Sequence, residues 1–179
     1  MITTPNLQLI PCDLKCLEAI LSNKKRLARL LQITVPGGEG WPHFPDAYRY
    51  SYENFRADLY KLGWWTYLFI HAKDRALVGS GGFKGKPDFA GVVEVGYEIV
   101  PEYRNRGFAT EATQGFIDFA FSHPEVQSVD AHTLPEPNAS TKVLGKVGMK
   151  FMGALYDPED GEVWHWRLPR ESYEKGKDA

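Results

Sequence analysis

Between Val92 and Phe121 the hydrophobic period changes once, and the change is abrupt. Val93, Val95, Tyr97 and Ile99 recur at every second position, the period of a strand with one apolar face. Ala109, Ala112, Phe116 and Phe119 then recur at spacings of three and four, with Ala120 beside them, the stripe of an amphipathic helix. The pattern predicts a strand over 92–100 and a helix over 110–121, joined through Pro101-Glu102 and the turn Arg104-Asn105-Arg106-Gly107-Phe108-Ala109. A strand feeding straight into such a helix restricts the chain to a mixed α/β architecture.

The flanking sequence extends that pattern. Leu7–Ile10, 65–70, 76–83, 126–133, 149–156 and 162–168 read as further strands, and the short turns within 65–100 predict an antiparallel meander. Glycines at 79, 81 and 82 predict a bulge or a close backbone approach in the second meander strand. Leu14, Leu17, Ile20 and Leu21 mark a helix; Leu27, Leu30 and Leu31 either continue it or form another after Ser22-Asn23. Residues 41–52, with two prolines and many aromatic rings, read as a loop, followed by a helix over 54–62. A last helix is expected over 139–147. Residues 1–169 are read as one domain, and the charged segment 170–179 is expected to fray.

Composition narrows the functional classes. Twenty-one basic against twenty-three acidic residues leave a net charge of -2, which argues against general nucleic-acid binding. No stretch has the length and apolarity of a membrane span, and the start lacks a leader pattern, so a cytoplasmic protein is the expectation. Cys12 and Cys16 lack a second pair to complete a zinc site, so free thiols and no metal are expected.

The turn at 104–109 carries the chemical argument. The first N–H groups of a helix have no intrahelical acceptors and point outward, which suits a phosphate oxygen. Gly107 permits close approach, Ala109 adds little bulk, and Arg104 and Arg106 can add charge-assisted hydrogen bonds. The three-glycine dinucleotide fingerprint and the P-loop sequence are both missing. Taken locally, an ordinary helix start with surface arginines is the simpler reading.

Two longer blocks change that balance. Val95-Gly96-Tyr97-Glu98-Ile99-Val100-Pro101-Glu102-Tyr103-Arg104-Asn105-Arg106-Gly107-Phe108-Ala109-Thr110-Glu111-Ala112 is the first; the second runs from His132-Thr133 through Asn138-Ala139-Ser140 to Val143-Leu144-Gly145-Lys146-Val147-Gly148-Met149. Together they resemble the GNAT superfamily of N-acetyltransferases, in its RimJ/RimL-like branch. The resemblance implies the acyl-CoA N-acyltransferase fold, a mixed and mostly antiparallel sheet that splays between two parallel strands and is flanked by helices. It implies acetyl-CoA as cosubstrate and an amine acceptor, either a protein N-terminus or a small molecule. A monomer or homodimer is expected.

Carried onto this sequence, the resemblance implies that Glu98, Ile99 and Val100 border the pantetheine and that Arg104, Asn105, Arg106, Gly107, Phe108 and Ala109 grip the pyrophosphate. Asn138 would complete the cofactor wall. Ser140 matches the family's serine and would hydrogen-bond the departing sulfur; its alternative role is a helix cap. Leu144 stands where many members have a tyrosine acid, and Pro137 stands where the branch has an asparagine. For the general base, Glu94 is the first choice, as a cleft carboxylate with a raised pKa, and His132 the alternative. Trp41, Phe44, Trp64 and Tyr156, with Trp65, are candidates for the acceptor pocket; each also reads as packing. A non-catalytic acyl-CoA-binding module is the competing function, and a purely structural domain the third.

Overall fold

The computed structural model describes residues 1–36, 41–42, 44–57, 63–158 and 160–177. The chain runs β1 (Ile2–Thr3), β2 (Leu7–Pro11), α1 (Leu14–Ser22), α2 (Lys24–Leu31), α3 (Pro45–Ala57), β3 (Thr66–His71), β4 (Ala76–Phe83) and β5 (Val92–Ile99). It continues with α4 (Phe108–Phe121), β6 (Ser128–Thr133), α5 (Ala139–Lys146), β7 (Lys150–Asp157), β8 (Gly161–Pro169) and α6 (Arg170–Lys177). The sheet order is β1-β2-β3-β4-β5-β6-β8-β7, with β5 and β6 parallel and every other neighbouring pair antiparallel.

Two apolar cores cover the two faces. On one, α4 and α5 pack Phe116, Ile117, Ala120 and Leu144 against Phe69, Val93, Val95 and Val129. Phe116 is fully buried, and truncating a phenylalanine in such a place costs about 3–5 kcal/mol. On the other face, α1, α2 and α3 bring Leu17, Leu27, Tyr48 and Phe55 to Leu68, Ile70 and Leu77. This second core covers only the β2–β4 side, because Glu94, Asp130, His132, His165 and Arg167 occupy that face farther along the sheet. Cys12 and Cys16 are both buried, with Sγ atoms 3.2 Å apart.

Several local expectations are corrected. The segment 41–52 is not all loop: Pro45–Ala57 is a helix whose buried residues Tyr48, Ser51 and Phe55 recur at helical spacing. Proline at its first position and Asp46 in its first turn suit a helix start, a signal outweighed by the aromatic and polar content. Residues 54–57 of the helix placed over 54–62 belong to α3, and 58–62 lie outside the described residues. Asn23 separates α1 from α2, and its side chain accepts from Arg26 N at 2.8 Å. The terminal segment does not fray over 170–177. There the Arg170 guanidinium donates to the carbonyls of Val126, Phe121 and His123 at 2.8, 3.1 and 2.6 Å.

The glycines of β4 serve a close approach. A Cβ at Gly79 would stand 2.4 Å from the Glu98 carbonyl oxygen, and one at Gly81 would stand 2.4 Å from that of Gly96. These glycines let β5 lie tightly against β4 just where β5 leaves its other neighbour.

Candidate active site

The parallel ladder between β5 and β6 has three rungs, Val92↔Ser128, Val93↔Val129 and Glu94↔Asp130, and then stops. Beyond it, β5 stays paired to β4 through Ile99 while β6 stays paired to β8 through Thr133. The two strands separate there, and a small cleft of about 50 Å³ opens, lined by Val95, Gly96, Tyr97, Ala131, His132, Thr133, Ser140 and Leu144. A strand edge without a neighbour presents main-chain donors and acceptors to any extended ligand.

The basic turn follows β5. Asn105 and Gly107 both have positive φ, 60° and 83°, and Gly107 caps α4, which begins at Phe108 rather than at Thr110. A Cβ built on Gly107 meets nothing within 4 Å, so the space above the helix N-terminus is open. Arg104 Nε donates to the Ile99 carbonyl at 3.1 Å, and the Arg106 guanidinium lies over the rings of Tyr103 and Phe108. The turn is thereby held from both sides. Val100 does not face the cleft; it is buried in the α1–α3 core and gives its N–H to Val78.

Glu94 and His132 meet on the face away from α4. His132 Nδ1 stands 3.0 Å from Glu94 Oε1, and Lys84 Nζ stands 2.6 Å from the same oxygen. Burial works to raise the Glu94 carboxyl, but the hydrogen bonds from His132 and Lys84, with their charges, outweigh it and hold its pKa below the ordinary value. The expected raised carboxylate is therefore not found at Glu94. The hydrogen bond to Glu94 instead lifts His132 above its ordinary pKa, against the opposing effect of burial. The His132 ring stacks on that of His165, with centroids 5.1 Å apart. His165 Nε2 is 2.7 Å from Asp130, whose carboxylate also takes two 2.7 Å bonds from Arg167.

At the N-terminus of α5, Asn138 Oδ1 accepts from Thr141 N at 3.1 Å, and Thr141 Oγ1 accepts from Asn138 N at 3.0 Å, a reciprocal cap. Asn138 Nδ2 donates to the Glu136 carbonyl, so this side chain serves the turn. The cap is thus Asn138 with Thr141, and Ser140 is left to line the cleft. Sequence reasoning missed Tyr97 as a cleft residue: its hydroxyl reaches the Ser140 carbonyl at 3.4 Å, and burial pushes its pKa up to about 12. Its place beside Gly96 on the strand that opens was the available signal.

The aromatic residues proposed for the acceptor do not converge. Trp41 is buried and donates from Nε1 to Ser80 Oγ at 3.0 Å. Trp64 packs on Phe83, Phe119 and His123 near the C-terminal end of α4, remote from the turn at its start. Trp65 is buried against Tyr50, whereas Phe44 and Tyr156 are exposed, the latter on the edge strand β7.

Residues 8–150 match the Acetyltransferase (GNAT) domain family. This chain belongs to the GNAT acetyltransferase family. YjdG of Bacillus subtilis (strain 168), an uncharacterized N-acetyltransferase, is 26% identical over 168 residues, covering 93% of this chain and 96% of that one. Among solved structures, a spermidine N-acetyltransferase SpeG chimera from Vibrio cholerae and hSSAT superposes with a TM-score of 0.68 at 16% identity, covering 94% of this chain and 98% of that chain. RimL, a ribosomal alpha-N-protein acetyltransferase in complex with coenzyme A, superposes at 0.66 with 13% identity, covering 94% and 97%. At such identities the superpositions speak for the fold. As a GNAT protein the chain is an acetyl-CoA-dependent acetyltransferase with an amine acceptor.

The residues present fit that cosubstrate. The strand whose edge separates from β6 leads, through the turn at 104–107, to the start of α4, where the space beside Gly107 is open. Among the described residues, no group of three or more His, Cys, Asp or Glu side chains is arranged to hold a metal ion, and no helix is long and apolar enough to cross a membrane.

Proposed function

We propose that this GNAT protein transfers acetyl to a primary amine by direct attack while both substrates are bound, the acceptor being a protein N-terminus or a small amine. The observation that carries the reading is the end of the β5–β6 ladder at Glu94 and Asp130, directly ahead of the turn that caps α4.

Acetyl-CoA supplies an acetyl thioester. The first N–H groups of α4, with Arg106 beside them, hold the pyrophosphate at Asn105, Gly107, Phe108 and Ala109. Arg104 supports this turn through Ile99. The edge of β5 from Val95 to Ile99 offers main-chain hydrogen bonds to the pantetheine, and a main-chain N–H there polarises the thioester carbonyl.

An ammonium ion has no lone pair to attack with, so a proton acceptor is required. His132 fills that role. Glu94 accepts from its Nδ1, which fixes the ring and leaves Nε2 as the nitrogen that takes the proton of the amine. Ser140 donates to the departing sulfur from the α5 wall. Holding both reactants at one opening supplies the remaining advantage as proximity.

The test combines thermal shift with coenzyme A and thiol release from acetyl-CoA against alkylamines, diamines, aminoglycosides and short peptides. Stabilisation by coenzyme A together with release dependent on one amine class is the expected result. Stabilisation without release for any amine would favour the non-catalytic acyl-CoA-binding module. Absence of stabilisation at saturating coenzyme A would overturn the reading.

A further inference from the structure

The Glu94–His132 pair is one end of a row that crosses three strands. Glu94 is paired with Asp130 on the β5–β6 ladder, and on the β6–β8 ladder Asp130 is paired with Arg167 and His132 with His165. Residues paired in this way, or two apart on one strand, project from the same face of a sheet. Glu98, four residues farther along β5, accepts instead from Tyr48 and Ser80 on the α3 side. Within the row each imidazole is tied to a carboxylate through one nitrogen, His132 Nδ1 to Glu94 at 3.0 Å and His165 Nε2 to Asp130 at 2.7 Å. The two rings lie one upon the other, 22° from parallel with centroids 5.1 Å apart.

The two histidines differ in how firmly they are held. Asp130 is buried, and Arg167 grips both of its oxygens at 2.7 Å, one through Nε and the other through Nη2. Such a bidentate pair fixes orientation as well as distance. His165, hydrogen-bonded to that fixed carboxylate, has a side chain 14% exposed, against 27% for His132. The His132 ring is held at Nδ1 by a Glu94 oxygen that Lys84 also binds. A ring held at one atom can still turn about that hydrogen bond. A flat surface against its face removes the freedom, and the His165 ring is such a surface. The restraint matters for catalysis, because a base must stand within about 2.6–3.2 Å of the atom whose proton it takes. A misplacement of about 1 Å can lower a rate roughly 10²-fold.

We infer that His165 is a positioning residue for transfer: locked by Asp130 and Arg167, it is the fixed plane on which the His132 ring rests while Glu94 holds Nδ1. The inference rests on the reading of His132 as the base and extends it to a residue that acts through His132 rather than on the amine. The contact is between ring faces, so it requires a flat ring and not an imidazole proton. Phenylalanine at 165 keeps the plane and gives up the bond to Asp130, which retains Arg167. Glutamine keeps a donor for Asp130 and gives up the plane.

The experiment measures steady-state acetylation at saturating acetyl-CoA, varying the best amine of the panel above. It compares the wild type with His165→Ala, His165→Gln, His165→Phe, His132→Ala and the double variant His132→Ala/His165→Ala, and records thermal stabilisation by coenzyme A for each. For His165→Ala and His165→Gln, kcat is expected to fall between about 10- and 100-fold, with the amine KM and the stabilisation by coenzyme A retained. His165→Phe should recover most of the loss. In the His132→Ala background, His165→Ala should lower kcat no further, because residues that act through one another are not additive. An equal fall in both backgrounds would overturn the inference, and so would an unchanged kcat in His165→Ala or a loss in His165→Phe as large as in His165→Ala. Each of these outcomes leaves the transferase reading standing. An undiminished kcat in His132→Ala would overturn the base assignment and this inference with it, and a wild type that acetylates no amine overturns all three. Where His165→Ala does not fold, His165→Gln takes its place in both backgrounds, with the same outcomes deciding.

Discussion

His132 Nδ1 lies 3.0 Å from Glu94 Oε1, across the point where β6 parts from β5. The pair couples the protonation of the imidazole to a carboxylate held below its usual pKa. As a base, His132 must be neutral, so the transfer rate is expected to fall as pH drops through its raised pKa. Removing the Glu94 charge lowers that pKa, and Glu94→Gln should move the inflection of the pH–rate profile to lower pH. His132→Ala should abolish the inflection and lower the rate by about 10²-fold or more. A profile for Glu94→Gln that coincides with the wild type would contradict the coupling.

Gly107 takes φ of 83° beside open space. Gly107→Val should lower stability by about 1–2 kcal/mol through backbone strain alone. It should also remove most of the thermal shift caused by coenzyme A, because the branched side chain fills the place given to the pyrophosphate. Undiminished coenzyme A affinity would refute that assignment.

Ser140 and Asn138, two residues apart, should behave in opposite ways. Ser140→Ala is expected to lower the turnover with unchanged unfolding, since the helix cap lies elsewhere. Asn138→Ala should cost about 1 kcal/mol in denaturant unfolding, the usual loss for a polar N-cap. Equal destabilisation by both would return Ser140 to a structural role.

Asp130 is buried and receives hydrogen bonds from Arg167 and His165. Burial works to raise its carboxyl, but those partners hold it below the ordinary value. A carboxyl depressed on folding contributes stability above its unfolded pKa and loses it as pH falls through the folded one. Asp130→Asn should therefore lose about 1–3 kcal/mol at neutral pH. Its deficit should shrink in acid below about pH 4, as read by urea unfolding across pH.

Much of the fold was legible because periodicity reports burial. Alternation marked Val93, Val95 and Ile99, and the 3.6-residue stripe marked Ala112 and Phe116; both sets lie in the α4 core. Helix α3 was obscured because its inward residues are Tyr48, Ser51 and Phe55, whose hydroxyl and aromatic groups do not form an aliphatic stripe. The site was legible in its backbone parts, where Gly107 and the following helix carry local conformational demands. Its side-chain parts were not. The charge on Glu94 is set by Lys84 and His132, and the setting of Glu98 by Tyr48 and Ser80, partners that adjoin only after β4, β5, β6 and α3 assemble.

The last helix has a consequence at the opposite end of the molecule. Arg170 fastens the carbonyls of Phe121, His123 and Val126, which lie where α4 finishes and β6 begins. Helix α4 has fourteen residues, a rod about 21 Å long, and its other tip is the Gly107 turn. Helix α6 thus moors the far end of a lever whose near end is the turn proposed to hold the phosphates. A tag or truncation that pulls Arg170 from its three carbonyls would be felt first as slack in that rod.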